Sequence, residues 1–193
     1  MGKFVQIRFV PKVSKSSVCP SWNRIMSVPA ISVLMPAYNV EKYIAEAIDS
    51  ILNQTFRDFE FIIVDDASTD NTLSVIQKYA DTRIVIIRNE KNIKLAASLN
   101  KGLKVAKGRY VARMDADDVS HPERLQKLFN FLENNPAVDI CGCAMKILGS
   151  DESVWEYKTE DKEIKAGLVW SSTMPHGTVI MRKETIRKHN LHY

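Results

Sequence analysis

Apolar residues follow two alternating periods along the chain. Short, nearly continuous apolar runs predict buried β-strands, and the segments between them carry apolar residues every three or four positions, which is the period of a helix. Strands that are apolar on both faces and alternate with helices indicate a parallel sheet covered on both sides. We therefore predict an α/β fold. The predicted strands are residues 31–35, 59–64, 83–87, 110–114 and 138–148.

Four amphipathic helices are predicted between these strands. Their inward faces are Ile44, Ala47, Ile48, Ile51 and Leu52 in the first helix, Leu73, Ile76 and Ala80 in the second, Leu95, Leu99, Leu103 and Ala106 in the third, and Leu125, Leu128, Phe129 and Leu132 in the fourth. We expect Asn39 and Asp70 to cap the first two helices, and Ser120 with Glu123 to form a capping box for the fourth. Pro36 is expected to end the first strand.

Composition places the chain among globular proteins. At 193 residues and 45% hydrophobic, it can bury one substantial core. No apolar stretch reaches the roughly 18 to 20 residues that span a bilayer, and the chain does not begin with a signal-peptide pattern. We therefore expect a cytoplasmic protein, with a location at the inner face of the membrane left open. Cys19, Cys141 and Cys143 suit neither a disulfide set nor a zinc site, and we expect reduced thiols.

The net charge of +4 is unevenly distributed. Residues 1–25 hold five basic residues and no acidic residue, so the rest of the chain has a net charge of −1. We predict a basic, disordered extension over residues 1–28 and one folded domain over residues 29–193. A nearly neutral domain without interleaved aromatic and basic residues is not expected to bind nucleic acid.

Three carboxylates, Asp115, Asp117 and Asp118, fall in one short turn after the predicted strand 110–114. Carboxylates this close repel one another unless a cation neutralises them, and hard oxygen ligands suit Mg²⁺ or Mn²⁺. Because these ions commonly bridge protein carboxylates to phosphates, a nucleotide is the expected ligand. The alternative is that the acids merely precede the next helix.

Two further polar clusters, residues 36–39 and 65–68, also follow predicted strands. In open α/β sheets, ligands bind beyond the carboxyl ends of the strands. All three clusters are therefore expected to line one crevice.

Five motifs along the chain resemble, in identity and order, those of glycosyltransferase family 2, whose members have the GT-A fold. The motifs are residues 36–39, 64–70, 92–100, 108–110 and 114–118, and the resemblance covers about residues 30–190. It implies a Rossmann-like, mainly parallel sheet flanked by helices. It also implies a metal-dependent, inverting transfer of sugar from a UDP-, GDP- or dTDP-linked donor. The implied acceptor is a glycan or a lipid-linked molecule in cell-surface polysaccharide synthesis, with peripheral membrane association left open.

The resemblance further implies roles for residues of the first two clusters. Pro36, Ala37 and Tyr38 would frame the base and ribose. Asp66 would accept a hydrogen bond from the N3–H of uracil or thymine, with Asp65 as the less certain member of the pair.

The same resemblance assigns the acidic turn to the metal. Asp115 and Asp117, on either side of Ala116, would form the family's Asp-x-Asp motif, which holds the ribose and Mn²⁺ or Mg²⁺. Asp118 would assist through a direct or water-mediated contact.

Two features depart from the family pattern. Lys94 stands where many relatives carry glycine, and we expect it to contact the donor pyrophosphate; the alternative is a solvated surface lysine. An inverting transfer also needs a general base, which the family supplies from a segment that we expect beyond Tyr193. The domain is thus expected to be truncated before the segment that carries the base and binds the acceptor. We assign His176 to the acceptor side, with a structural role as the alternative.

Two other functions fit part of the pattern. A sugar nucleotidyltransferase-like enzyme would share the layout and the paired acids, although the chain lacks the glycine-rich loops of such enzymes. A catalytically incomplete donor-binding module would share the cleft and lack the base.

Overall fold

The strands and helices are given as they occur in a computed structural model, which describes residues 3–5, 28–147, 154–155, 158, 160–167 and 173–193. The strands are β1 (Lys3–Val5), β2 (Ile31–Ala37), β3 (Phe59–Asp65), β4 (Ile84–Arg88), β5 (Tyr110–Arg113), β6 (Asp118–Ser120), β7 (Ile140–Cys141), β8 (Met145–Ile147), β9 (Val154–Trp155) and β10 (Ile180–Arg182). The helices are α1 (Ile44–Leu52), α2 (Thr72–Ile76), α3 (Lys94–Val105), α4 (Arg124–Asn134), α5 (Asp161–Gly167) and α6 (Lys183–Lys188), with a 3₁₀ turn at His176–Thr178.

A six-stranded sheet with the order β4-β3-β2-β5-β10-β7 forms the centre of the fold. Strands β2, β3, β4 and β5 are parallel, and β10 runs antiparallel to both of its neighbours. The predicted α/β class with a mainly parallel sheet is therefore confirmed. A smaller sheet has the order β6-β1-β8-β9. Apart from Lys3–Val5 and Val28, the predicted N-terminal extension lies outside the described residues and stays a prediction.

The order of the strands creates a crevice at the carboxyl end of β2. From β2 the chain crosses to β3 and then β4 on one side, and it later returns to β5 on the other side. The order of the strands thus reverses between β2 and β5, and such a point, beyond the carboxyl ends of the strands, is where open α/β sheets bind ligands.

Alternate strand residues pack into two cores, one on each face of the sheet. In β2, Met35 faces the core that α1, α2 and α4 cover, whereas Leu34 faces the core under α3. Phe61 and Ile62 divide in the same way in β3. This period of two confirms that the central strands are buried on both faces. Among the described helices, none has the length and apolarity that crossing a membrane requires.

The boundaries of strand β2 and of helices α1 and α2 differ from the prediction. Strand β2 continues through Pro36 to Ala37, whereas its last hydrogen bond on the β5 side is the one that Leu34 O accepts from Met114 N, at 3.0 Å. The N–H that proline lacks would face that side, so no strand pairing is lost. The predicted cap of α1 is wrong, because Asn39 lies four residues before Tyr43, which is the N-cap. For α2, Asp70 accepts a bond from the Thr72 amide, but the helix begins after Asn71.

The predicted capping box of α4 is also wrong. Ser120 belongs to β6, and the helix begins at Arg124 after Glu123, which pairs with Lys127 at 2.9 Å. The buried side chain of Gln54 instead accepts a hydrogen bond from the Leu125 amide at 2.9 Å. A long-range partner thus satisfies the helix start in place of a local cap.

Three further sequence predictions need correction. Ala80 and Leu95 were expected to face inward, but both are exposed. The strand predicted over residues 138–148 is broken into β7 and β8, and Leu148 lies outside the described residues.

Two glycines of the core should tolerate alanine differently. A Cβ at Gly108 would meet main-chain atoms of β2, including the Ile31 carbonyl carbon at 2.7 Å, whereas the atoms nearest to a Cβ at Gly102 belong to the side chain of Leu34. We expect Gly108→Ala to lower the free energy of unfolding by about 3 kcal/mol, because backbone cannot move aside cheaply. Gly102→Ala should cost about 1 kcal/mol, since Leu34 can rotate and alanine favours a helix. Urea denaturation of both variants checks this, and equal losses would contradict it.

Candidate functional site

A cleft of about 240 Å³ opens at the carboxyl end of β2. Of the residues predicted to bind the nucleotide sugar, Pro36, Ala37, Tyr38, Asp66 and Lys94 line it, whereas Asp65, Asp115 and Ala116 do not. The other lining residues are Asn92, Leu95 and Ser98. Three segments that are distant in sequence therefore meet where the crevice was expected.

Hydrogen bonds join the loops after β2 and β3 on one side of the cleft. Asn39 accepts a bond from the Thr69 amide at 2.8 Å, and Thr72 accepts one from the Val40 amide at 2.8 Å. Asn39 and Ala67 both have positive φ, 51° and 58°. Asparagine adopts this left-handed region fairly often, whereas alanine adopts it rarely. The conformation of Ala67 therefore depends on the surrounding contacts.

Asp66 is buried at the base of the cleft and anchors the start of α3. Its Oδ1 accepts bonds from Asn89 Nδ2 at 2.8 Å and from the Ile93 amide at 2.9 Å, and its Oδ2 accepts one from the Lys94 amide at 2.9 Å. Burial alone raises the pKa of this carboxyl, but the hydrogen bonds from Ile93, Asn89, Ser98 and Lys94 outweigh it and lower the pKa. Asp66 is thus held as an anion that accepts hydrogen bonds.

Asn89 fixes the orientation of Asp66, and the sequence predictions missed it. Its Oδ1 accepts a bond from Lys101 Nζ at 2.7 Å, which leaves Nδ2 to donate to Asp66 and, at 3.0 Å, to Ser98 Oγ. Asn89 directly follows β4. The rule that polar residues after strands line the crevice could therefore have identified it.

Asp65 is fully buried beside the cleft and has protein partners. Its Oδ1 accepts a bond from the Ser68 amide at 3.3 Å, and its Oδ2 lies 3.7 Å from Arg88 Nε. These contacts shape the loop after β3, and a role for Asp65 in binding the nucleotide stays a prediction.

The acidic turn follows β5 on the other side of the crevice. Asp117 is exposed, Asp118 is buried, and Asp115 is half-exposed and forms an ion pair with the buried Arg113. A Cβ at Gly177 would clash with Oδ2 of Asp115 and lie 3.2 Å from Oδ2 of Asp118. The two carboxylates therefore converge on one glycine, which has room for them only because it lacks a side chain.

A second buried arginine, Arg124, links the strand before the acidic turn to the segment that contains Gly177. Its Nη2 donates to the carbonyl oxygens of Arg113 and, at 3.3 Å, of Gly177. Burial lowers the pKa of Arg124, and the carboxylates of Asp118 and Asp115 oppose this. Arg124 was also missed, although it lies four and eight residues before the inward-facing Leu128 and Leu132 and so shares their helix face.

The carboxylates of the acidic turn fit a divalent ion that is shared with a substrate. Over the described ranges, no three Asp, Glu, His or Cys side chains are grouped closely enough to hold a metal by themselves. Mg²⁺ usually takes one or two protein carboxylates together with substrate phosphates rather than an all-protein cage. Converging carboxylates of Asp115 and Asp118, with Asp117 exposed beside them, suit that arrangement.

His176 lies next to the acidic turn. Its ring packs edge-on against Tyr193, with 5.1 Å between centroids. Partial burial of the imidazole and the nearby Arg113 lower the pKa of His176, while Asp115 opposes them. The structure thus brings His176 to the crevice, and its acceptor role stays a prediction. The catalytic base stays unassigned.

The family model described as "Glycosyl transferase family 2" matches residues 32–190. An uncharacterized glycosyltransferase of Haemophilus influenzae is 36% identical over 176 residues, which cover 84% of this chain and 54% of that protein. The UDP-Glc:alpha-D-GlcNAc-diphosphoundecaprenol beta-1,3-glucosyltransferase WfaP of Escherichia coli is 39% identical over 103 residues, which cover 53% of this chain and 41% of that protein.

The fold is similar to that of S. aureus TarS. The crystal structure of TarS in complex with UDP-GlcNAc matches with a TM-score of 0.71 and 27% identity, over 84% of this chain and 48% of that one. The chain therefore spans about half the length of the Haemophilus influenzae protein and of the TarS chain.

The hydrogen bonds to Asp66 predict a specific loss of stability in acid. Because the pKa of Asp66 in the folded state lies below the ordinary value of 3.8, its stabilising effect is complete above that value and disappears as the pH falls through the folded pKa. Asp66→Asn should lower the free energy of unfolding at neutral pH by about 1 to 3 kcal/mol. It should also weaken the dependence of that free energy on pH below about pH 5.

Urea denaturation from pH 3 to pH 7 is the measurement, with Glu46→Gln as the control at an exposed acid of α1. Identical pH profiles for the wild type and Asp66→Asn would contradict the prediction.

Proposed function

The chain belongs to glycosyltransferase family 2, and on that basis we propose that it takes part in transferring a sugar from a nucleoside-diphosphate donor to an acceptor hydroxyl. The observation that carries this proposal is the position of the cleft, which lies beside an acidic turn at the point where the order of strands reverses. In such a donor, a diphosphate joins the nucleoside to the sugar. Its binding site therefore needs a pocket for the base next to a site that neutralises the negative charge of the diphosphate.

The cleft suits a base that carries an N–H donor. Asp66 offers an anionic oxygen at the bottom of the cleft, and the half-exposed ring of Tyr38 offers a surface on which a nucleobase can stack. Pro36 and Ala37 complete the wall. The low pKa of Asp66 keeps it an acceptor, which favours uracil or thymine, with N3–H, and guanine, with N1–H. The proposed donors are therefore UDP-, dTDP- or GDP-linked sugars.

Asp115, Asp117 and Asp118 are the residues that would hold Mn²⁺ or Mg²⁺. A dication bound there would neutralise the negative charge that grows on the leaving diphosphate. Arg113 and Arg124 keep the turn in place before any ligand arrives, because they offset the mutual repulsion of its carboxylates.

The acceptor that we propose is a glycan or a lipid-linked glycan, in the synthesis of a cell-surface polysaccharide. This proposal follows the name of WfaP, which acts on a diphosphoundecaprenol-linked sugar. Inversion at the anomeric carbon is proposed with it, and His176 beside the acidic turn is the residue that we assign to the acceptor side.

A donor-binding module without transferase activity is the second candidate. It is favoured by the observation that the chain covers about half of its relatives, so the residues that complete their sites need not all lie within it. The family match favours either candidate over nucleotidyl transfer. Release of free nucleoside diphosphate from a nucleotide sugar would indicate transfer or hydrolysis. Release of pyrophosphate from a nucleoside triphosphate and a sugar 1-phosphate would indicate nucleotidyl transfer, and a donor-binding module would catalyse neither reaction.

A thermal-shift panel tests donor binding. A ligand that binds only the folded state raises its Tm, so we expect a uridine or thymidine diphosphate sugar to raise Tm in the presence of Mn²⁺ and EDTA to reduce the increase strongly. Asp117→Asn should remove most of it. Glu46→Gln, which changes an exposed acid of α1 that does not line the cleft, should retain it. If the donor with Mn²⁺ raised the Tm of Asp117→Asn as much as that of the wild type, the metal assignment would be wrong. If UDP-, dTDP- and GDP-sugars all left the Tm of the wild type unchanged, the donor assignment would be wrong.

A further inference from the structure

Lys94 is held in an unfavourable backbone conformation at the edge of the cleft. Its φ is 72°, in the left-handed region that glycine adopts freely and lysine adopts rarely. The hydrogen bond from its amide to Asp66 Oδ2, at 2.9 Å, holds it there. Glycine at this position would form the same bond without strain.

The charge of Lys94 is also placed unfavourably for the helix. Lys94 is the first residue of α3, where the partial positive charge of the helix dipole disfavours a cation, and the first turn contains no acidic residue. In the described part of the chain, no hydrogen bond or ion pair engages its ammonium group. Neither folding nor the helix therefore accounts for a lysine here.

The cleft offers a reason. Lys94 is the single cation among the eight residues that line it, and its side chain is exposed. A bound nucleotide contributes phosphate oxygens, which form strong, charge-assisted hydrogen bonds with an ammonium group. We propose that Lys94 binds the diphosphate of the donor and sets the preference of the cleft for nucleoside diphosphates over nucleosides. This inference rests on the proposed function and adds a determinant that is independent of the acidic turn.

The alternative within the cleft is a contact between Lys94 and a carbonyl oxygen of the base. The two roles predict different losses of affinity for UDP and for uridine when Lys94 is replaced. A phosphate contact affects UDP and leaves uridine unchanged, whereas a base contact affects both compounds equally.

Calorimetric titration with uridine, UMP and UDP in the presence of EDTA isolates the contribution of Lys94 from that of a metal. For the wild type we expect affinity to rise with each phosphate. Lys94→Gly should reduce the ratio of UDP to uridine affinity about tenfold, the effect of one hydrogen bond to a charged group. Lys94→Arg, which keeps the charge, should retain most of the ratio.

Thermal unfolding of the same variants supplies a second measurement, in which the substitution that weakens UDP binding should stabilise the protein. Lys94→Gly should raise Tm without ligand, because it relieves the positive φ and removes the cation from the helix start, whereas Lys94→Arg should not. Stabilisation with an unchanged UDP-to-uridine ratio would overturn the proposal, and so would an equal loss for uridine and UDP. If the wild type bound UDP with Mn²⁺ but showed no phosphate increment in EDTA, this inference alone would fail. Absence of binding by UDP, dTDP and GDP under both conditions would overturn the proposed function with it.

Discussion

The concentration of carboxylates at the carboxyl end of the sheet is the constraint on which the site depends. Buried or crowded carboxylates are costly unless positive charge or N–H groups face them. Each of three aspartates meets this need differently: Asp66 receives three N–H donors, Asp65 lies near Arg88, and Asp115 pairs with Arg113. The partners of Asp66 and Asp65 come from other strands and loops, so neutralising their charge also brings the walls of the crevice together.

Sequence patterns predicted the sheet and most of the site because both depend on regular rules. A period of two identified the central strands, and the rule that ligands bind beyond the carboxyl ends of strands brought residues 36–38 and Asp66 to one cleft. The same rule, applied to β4, would have added Asn89. Roles within the site came from the family resemblance, because spacing alone does not distinguish a ligand contact from a structural one. Asp66 illustrates the difficulty, since it anchors α3 and lines the cleft at once.

Several predictions failed because the tertiary fold, and not the local pattern, decides which groups a residue contacts. Ser120 has the local pattern of a capping residue, but Gln54, which is buried against it, satisfies the start of α4 instead. Leu95 has the spacing of a core residue and yet lines the cleft. The positive φ of Lys94 is likewise set by Asp66, 28 positions earlier in the chain. No local propensity contains this information, because the partner is chosen by the fold.

The hydrogen bonds between the loops after β2 and β3 have a consequence for how a ligand would be received. Asn39 with Thr69, and Glu41 with Asp70 and Asn71, tie the two segments at both main-chain and side-chain atoms. A wall that is already ordered loses little conformational entropy on association. Differences in affinity between chemically similar ligands would then reflect the quality of their contacts with a preorganised surface. Discrimination between them would not require a conformational change of that surface.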